Sequence, residues 1–103
     1  MHNSIKTISQ IEALIEAKAI KDCVIYVRPL VSGSPASFNL SFGASFTDYT
    51  VKHSRNNCAR SYKTLDAAFR QANSLGYSGD IVIKMASHAF WEANNPDQLL
   101  LDV

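Results

Sequence analysis

Cysteine, glycine, proline and tryptophan are all scarce in this 103-residue sequence, and each shortage closes a route to function. The two cysteines, Cys23 and Cys58, fit neither a disulfide framework nor a zinc-ligand spacing. Two buried thiols are expected, with a single bridge as the alternative. The four glycines, Gly33, Gly43, Gly76 and Gly79, form no phosphate-cradling loop, and the last two follow a helical pattern rather than precede one. No apolar run approaches the roughly 20 residues that span a bilayer, and no N-terminal stretch has signal-peptide composition. A soluble, cytoplasmic protein without membrane association is therefore expected. There are no repeats and no low-complexity tracts.

Reactive constellations are also missing. His88 and Glu92 stand four apart on a predicted helix, but a zinc site takes three or four ligands and no third is in view. His53 and Cys58 lack an orienting carboxylate and an oxyanion-binding turn. No catalytic residue, metal or cofactor is assigned, and an enzyme ranks third among the functional expectations.

What the chain does have is a core. Hydrophobic residues make up 47% and charged residues 18%, enough for one domain and far from the composition of disorder. The clearest segment runs from Arg60 to Lys84. Thr64 suits an N-cap and Asp66 the positive pole of a helix dipole. Leu65, Ala68, Phe69, Ala72 and Leu75 recur at helical spacing, and Gly76 supplies the left-handed stop. Asp80 to Lys84 is short, apolar and β-branched, which predicts a buried strand.

Upstream, Ile8, Ile11, Leu14 and Ile15 define an amphipathic helix. A capping box at Ser9-Gln10-Ile11-Glu12 places its start at Ser9, with Ser4 as the alternative, and Lys18 and Lys21 suit its negative pole. Cys23 to Val27 predicts a strand ended by Pro29, and Ser32 to Pro35 a turn. Phe38, Leu40 and Phe42 alternate with polar residues. The apolar phase then shifts to Phe46, Tyr49 and Val51, which calls for a reversal near Gly43 and two strands. Arg60 to Lys63 can add a short strand. Ser87 caps a short helix, and Asn95-Pro96 forms a second cap. The expectation is a single α+β domain: an N-terminal helix, an antiparallel sheet of three to four strands, one helix across it, a further strand and a short C-terminal helix.

A formal net charge of +1 gives no general attraction to polyanions, but the charge is unevenly placed. Residues 52–70 carry five basic residues against Asp66 alone, whereas residues 71–103 are net acidic. Lys52, Arg55, Arg60, Tyr62 and Lys63 are the candidate binding residues. Their cations suit phosphate or carboxylate, and the tyrosine suits stacking on a base. Phe90, Trp91, Leu99, Leu100 and Leu101 are candidate interface residues, the terminal leucines offering a homodimer contact. For Trp91 a place in the core is the leading expectation and the interface its alternative.

The order helix, three strands, helix resembles the double-stranded RNA-binding domain. That family is excluded because its second helix presents a lysine cluster where this chain has Thr64-Leu65-Asp66-Ala67-Ala68. Tyr62 to Ile83 resembles a segment of small accessory proteins of plasmids and phages, an aromatic-Lys-Thr/Ser-Leu-Asp-Ala-Ala run leading through a helix and Gly to an apolar strand. The resemblance covers about a fifth of the chain and implies a non-enzymatic modulator or inhibitor of host nucleic-acid or defence machinery. The expected function is thus a binding protein occupying a surface on a protein or nucleoprotein partner, with direct nucleic-acid binding through residues 52–70 as the alternative.

Overall fold

The capping chemistry near the N-terminus operates two residues earlier than the Ser9 box suggests. In the computed structural model, which describes residues 2–29, 35–55 and 57–95, Thr7 is the cap. Its hydroxyl accepts from the Gln10 amide at 3.2 Å, and the Gln10 side-chain oxygen accepts the Thr7 amide at 2.9 Å. The helix α1 is accordingly Ile8–Glu16, and the residues before it form a strand, β1 (His2–Lys6). Lys18 lies beyond the last turn, in a left-handed conformation with φ of 61°. The chain then runs through β2 (Asp22–Val27), β3 (Phe38–Gly43), β4 (Thr47–Val51), α2 (Leu65–Ser74), β5 (Ile81–Met85) and α3 (His88–Asn94).

This is an α+β domain with five strands in one sheet, ordered β1-β4-β3-β2-β5. The sheet is mixed, whereas an antiparallel one was expected. Strands β2, β3 and β4 form an antiparallel meander, while β1 lies parallel to β4 and β5 parallel to β2. The two outer pairings are parallel because each outer strand is joined to the meander through a helix, and such crossovers bring strands in side by side in the same direction. The reversal near Gly43 is present, closed by Ala44 N–H donating to Thr47 C=O at 2.9 Å. It leaves Phe46 exposed in the turn, not in the strand. Residues 32–34 of the predicted turn lie outside the described residues.

Both α1 and α2 cover one face. Ile11 of α1 and Ala68, Ala72 and Leu75 of α2 pack on Cys23, Ile25, Leu40, Phe42 and Val51. Thr64 caps α2 as predicted, accepting from Ala67 N–H at 3.0 Å, and Gly76 adopts φ of 99°, where any side chain would be strained. The apolar stripe read along α2 is only half buried, however. Ala68 and Ala72 face the sheet, but Leu65 and Phe69 lie on a flank that stays exposed. The predicted buried strand is likewise an edge strand: only Ile81 is half covered, and Val82, Ile83, Lys84 and Met85 are exposed.

The opposite face is covered by α3, while the segment leading into α2 runs beside β3 through the Phe38–Tyr62 bridge. Ser87 caps α3, Trp91 is buried, and Phe90 meets Tyr26 with ring centroids 4.5 Å apart. Trp91 therefore belongs to the core rather than to an interface. Asn95 closes α3, while Pro96 and the terminal Leu99, Leu100 and Leu101 lie outside the described residues. No helix among the described residues is long and apolar enough to cross a membrane.

Candidate functional site

The basic segment is a loop folded back on its own ends. Val51 C=O accepts from Arg60 N–H at 2.8 Å, Lys52 pairs with Ala59 in an isolated bridge, and His53 N–H donates to Cys58 C=O at 2.9 Å. At its tip, His53 Nδ1 accepts from Arg55 N–H at 3.0 Å. Its base is tied to the sheet because Lys52 N–H donates to Lys6 C=O at 2.8 Å, continuing the β1–β4 pairing by one residue.

That tie brings the loop beside the start of α1. Thr7, Ile8, Ser9, Lys52, His53, Ser54 and Arg60 line an open recess of about 250 Å³. Thr7 closes one free amide of the first turn by accepting from Gln10, and helix geometry leaves the Ile8 and Ser9 amides without an intrahelical acceptor. Lys52 and Arg60 add two positive charges, and no carboxylate is among the lining residues. Lys52 also donates to His53 C=O at 3.1 Å, which fixes its ammonium near the rim. Small oxyanions suit such a place: two side-chain cations line it, the helix dipole adds a positive end, and no described lining residue carries negative charge.

Arg60 is held from behind by a buried amide network. Its carbonyl accepts from Asn39 Nδ2 at 3.0 Å; Asn39 and Asn95 exchange two hydrogen bonds, at 3.1 and 2.8 Å; Ser61 Oγ donates to Asn95 Oδ1 at 3.2 Å. Asn95 Nδ2 also donates to Trp91 C=O at 2.9 Å, which ties α3 into the same network. Its guanidinium lies over the Tyr62 ring, 5.6 Å from the centroid.

The chain matches no protein-family model and no curated protein. What the site can hold is therefore set by its own geometry and charge.

Of the five predicted binding residues, the fold brings Lys52 and Arg60 to the recess. Arg55 stands exposed on the same loop outside the lining, and Lys63 is exposed beyond Tyr62. Tyr62, expected to stack on a base, is buried instead: it bridges Phe38 with two hydrogen bonds, at 2.8 and 3.0 Å, and its ring joins the core. Burial pushes its phenol up to about 12, against the opposing pull of Arg60. Thr7, Ser9 and Ser54 were not among the sequence candidates. The Thr7-x-x-Gln10 capping signal was available for the first two, but only the sheet pairing places them against the loop.

The two cysteines form no disulfide with each other, and both are buried. Burial, with a smaller push from Asp22, lifts the Cys23 thiol to about 12. Such a group stays protonated at neutral pH and is a poor nucleophile.

Proposed function

We propose that the protein is a non-catalytic binding module that docks on an anionic surface of a protein or nucleoprotein partner through the basic rim at the start of α1. The single observation that carries this is the recess itself, where Lys52, Arg60 and the first-turn amides of α1 converge with no carboxylate among them. The burial of Tyr62 favours this reading over direct binding of single-stranded nucleic acid, because it removes the ring on which a base would stack. The Cys23 thiol, held protonated, offers no nucleophile for an enzymatic alternative. The resemblance of Tyr62 to Ile83 to accessory proteins of plasmids and phages supports a cytoplasmic modulator or inhibitor of host nucleic-acid or defence machinery as the setting.

The test is affinity capture from the native host with the intact chain and with the charge-reversed pair Lys52→Glu and Arg60→Glu, each first checked for an unchanged melting temperature. A partner retained by the intact chain and lost by the reversed one, with capture weakening as salt rises, is the expected result. Equal capture by both proteins would overturn the assignment of the site. Titration with DNA and RNA at low salt separates the alternative: a steep salt-dependent shift would move the reading to direct nucleic-acid binding.

A further inference from the structure

The strand β5 has the sequence of a covered strand and the position of an uncovered one. Val82, Ile83 and Met85 are 47%, 53% and 57% exposed, and on α2 stand Leu65 at 38% and Phe69 at 48%. Val82, in register with Val24, faces the α3 side of the sheet. Ile83 and Met85 pair in register with Ile25 and Val27, so they lie on the helix-covered face. Helix α2 sits over β2 and β3, and Ala67, which packs on the core, lies on the opposite flank from Leu65 and Phe69. The Leu65–Phe69 flank is thus turned toward the β5 side of the sheet, on the face that carries Ile83 and Met85.

Among the described residues the edge is also open in its backbone. Ala86 N–H donates to Val27 C=O at 2.9 Å, so even positions direct their peptide groups toward β2. By strand alternation, Ile81, Ile83 and Met85 direct theirs outward. An exposed apolar edge of this kind is one that proteins normally cover.

The charges say by what. Asp80 and Lys84 flank Val82 symmetrically, two residues to either side, and both are exposed. We infer that β5 pairs antiparallel with β5 of a second copy about a two-fold axis through Val82, making a continuous ten-stranded sheet. This register sets Asp80 of each copy opposite Lys84 of the other. It also sets Ile81 opposite Ile83, both with outward-facing backbone groups, so these positions exchange the hydrogen bonds. The Asp80–Lys84 and Val82–Val82 positions are then the close, non-hydrogen-bonded pairs, where Cα atoms come within about 4.5 Å and side chains interact most. The axis keeps like faces together, so the Leu65–Phe69 flanks of both copies are turned toward the seam. The contact is isologous and closes on itself, leaving no β5 edge to recruit a third copy.

Sedimentation velocity of the full chain across a wide concentration range is the test. Self-association to a dimer and no further is expected. Asp80→Lys and Lys84→Asp each place like charges opposite at both ends of the seam and should weaken the dimer about tenfold or more. Mixing the two variants restores opposite charges at every position, so the mixture should dimerise where each alone does not, a recovery that lost folding would not show. Hydrogen exchange should show the Ile81, Ile83 and Met85 amides becoming protected as concentration rises. A monomer at millimolar concentration, or a dimer indifferent to both charge changes, would overturn the inference. So would protection of these amides independent of concentration, which would mean that a segment of the same chain covers the edge.

Discussion

Substituting Asn39 by alanine should cost this protein far more than its size suggests. The side chain is fully buried near the start of the central strand, where sequence alternation alone would place it on a wet face. The substitution removes three hydrogen bonds: Nδ2 to Arg60 C=O, Nδ2 to Asn95 Oδ1, and Asn95 Nδ2 to Asn39 Oδ1. At about 1 kcal/mol each the loss is about 3 kcal/mol, and the Arg60 carbonyl left without this donor can raise it. Asn95→Ala removes four, the two shared with Asn39 and those from Ser61 and to Trp91, for about 4 kcal/mol. Because two bonds are counted in both, the double variant should fall short of additivity by about 2 kcal/mol. Urea denaturation of the four proteins measures this. For a chain of this length each kcal/mol corresponds to a shift of about 4–8 °C in melting temperature, so calorimetry should see the same order. Single-variant losses below about 1 kcal/mol, or strict additivity, would refute the claim that these amides hold α3 and the Arg60 segment on the sheet.

Two further outcomes follow from buried groups. Tyr62 Oη is buried with no hydrogen-bond partner among the described residues, so Tyr62→Phe should leave stability unchanged or raise it by up to about 1 kcal/mol; a loss larger than that in urea denaturation would show that the hydroxyl is satisfied. The second concerns alkaline pH. Cys23 and Tyr62 both ionise near 12 when folded, against 9.0 and 10.0 ordinarily, so above those ordinary values the unfolded chain gives up protons that the folded one keeps. Stability should be level below pH 9, fall by about 1.4 kcal/mol per pH unit above it, steepen above pH 10, and level off beyond 12. Cys23→Ala should delay the onset of the fall to about pH 10, and an unchanged onset would contradict the assignment.

Local chemistry was legible in the residues. Thr64 and Ser87 cap helices because their hydroxyls reach amides two or three residues on, wherever the helix ends up. Gly76 takes a left-handed backbone for an equally local reason. The alternation of Phe38, Leu40 and Phe42 and the phase change after Gly43 placed β3, β4 and the turn between them. The concentration of basic charge in residues 52–70 is a property of the sequence that no fold could remove. Tertiary structure decided the rest. Whether a strand is central or at an edge depends on which neighbours pair with it, and the residues of β5 read the same in both positions. The same applies to Asn39, polar on a strand and yet buried, because α3 and Asn95 arrive from 56 residues away to accept it. It applies again to the recess, where Lys52 and Arg60 meet the start of α1 only because β1 pairs with β4 across more than forty residues of chain. Periodicity and capping act within a few residues, so they are written along the chain; strand order, edge exposure and charge convergence arise between distant segments, and only the folded sheet fixes them.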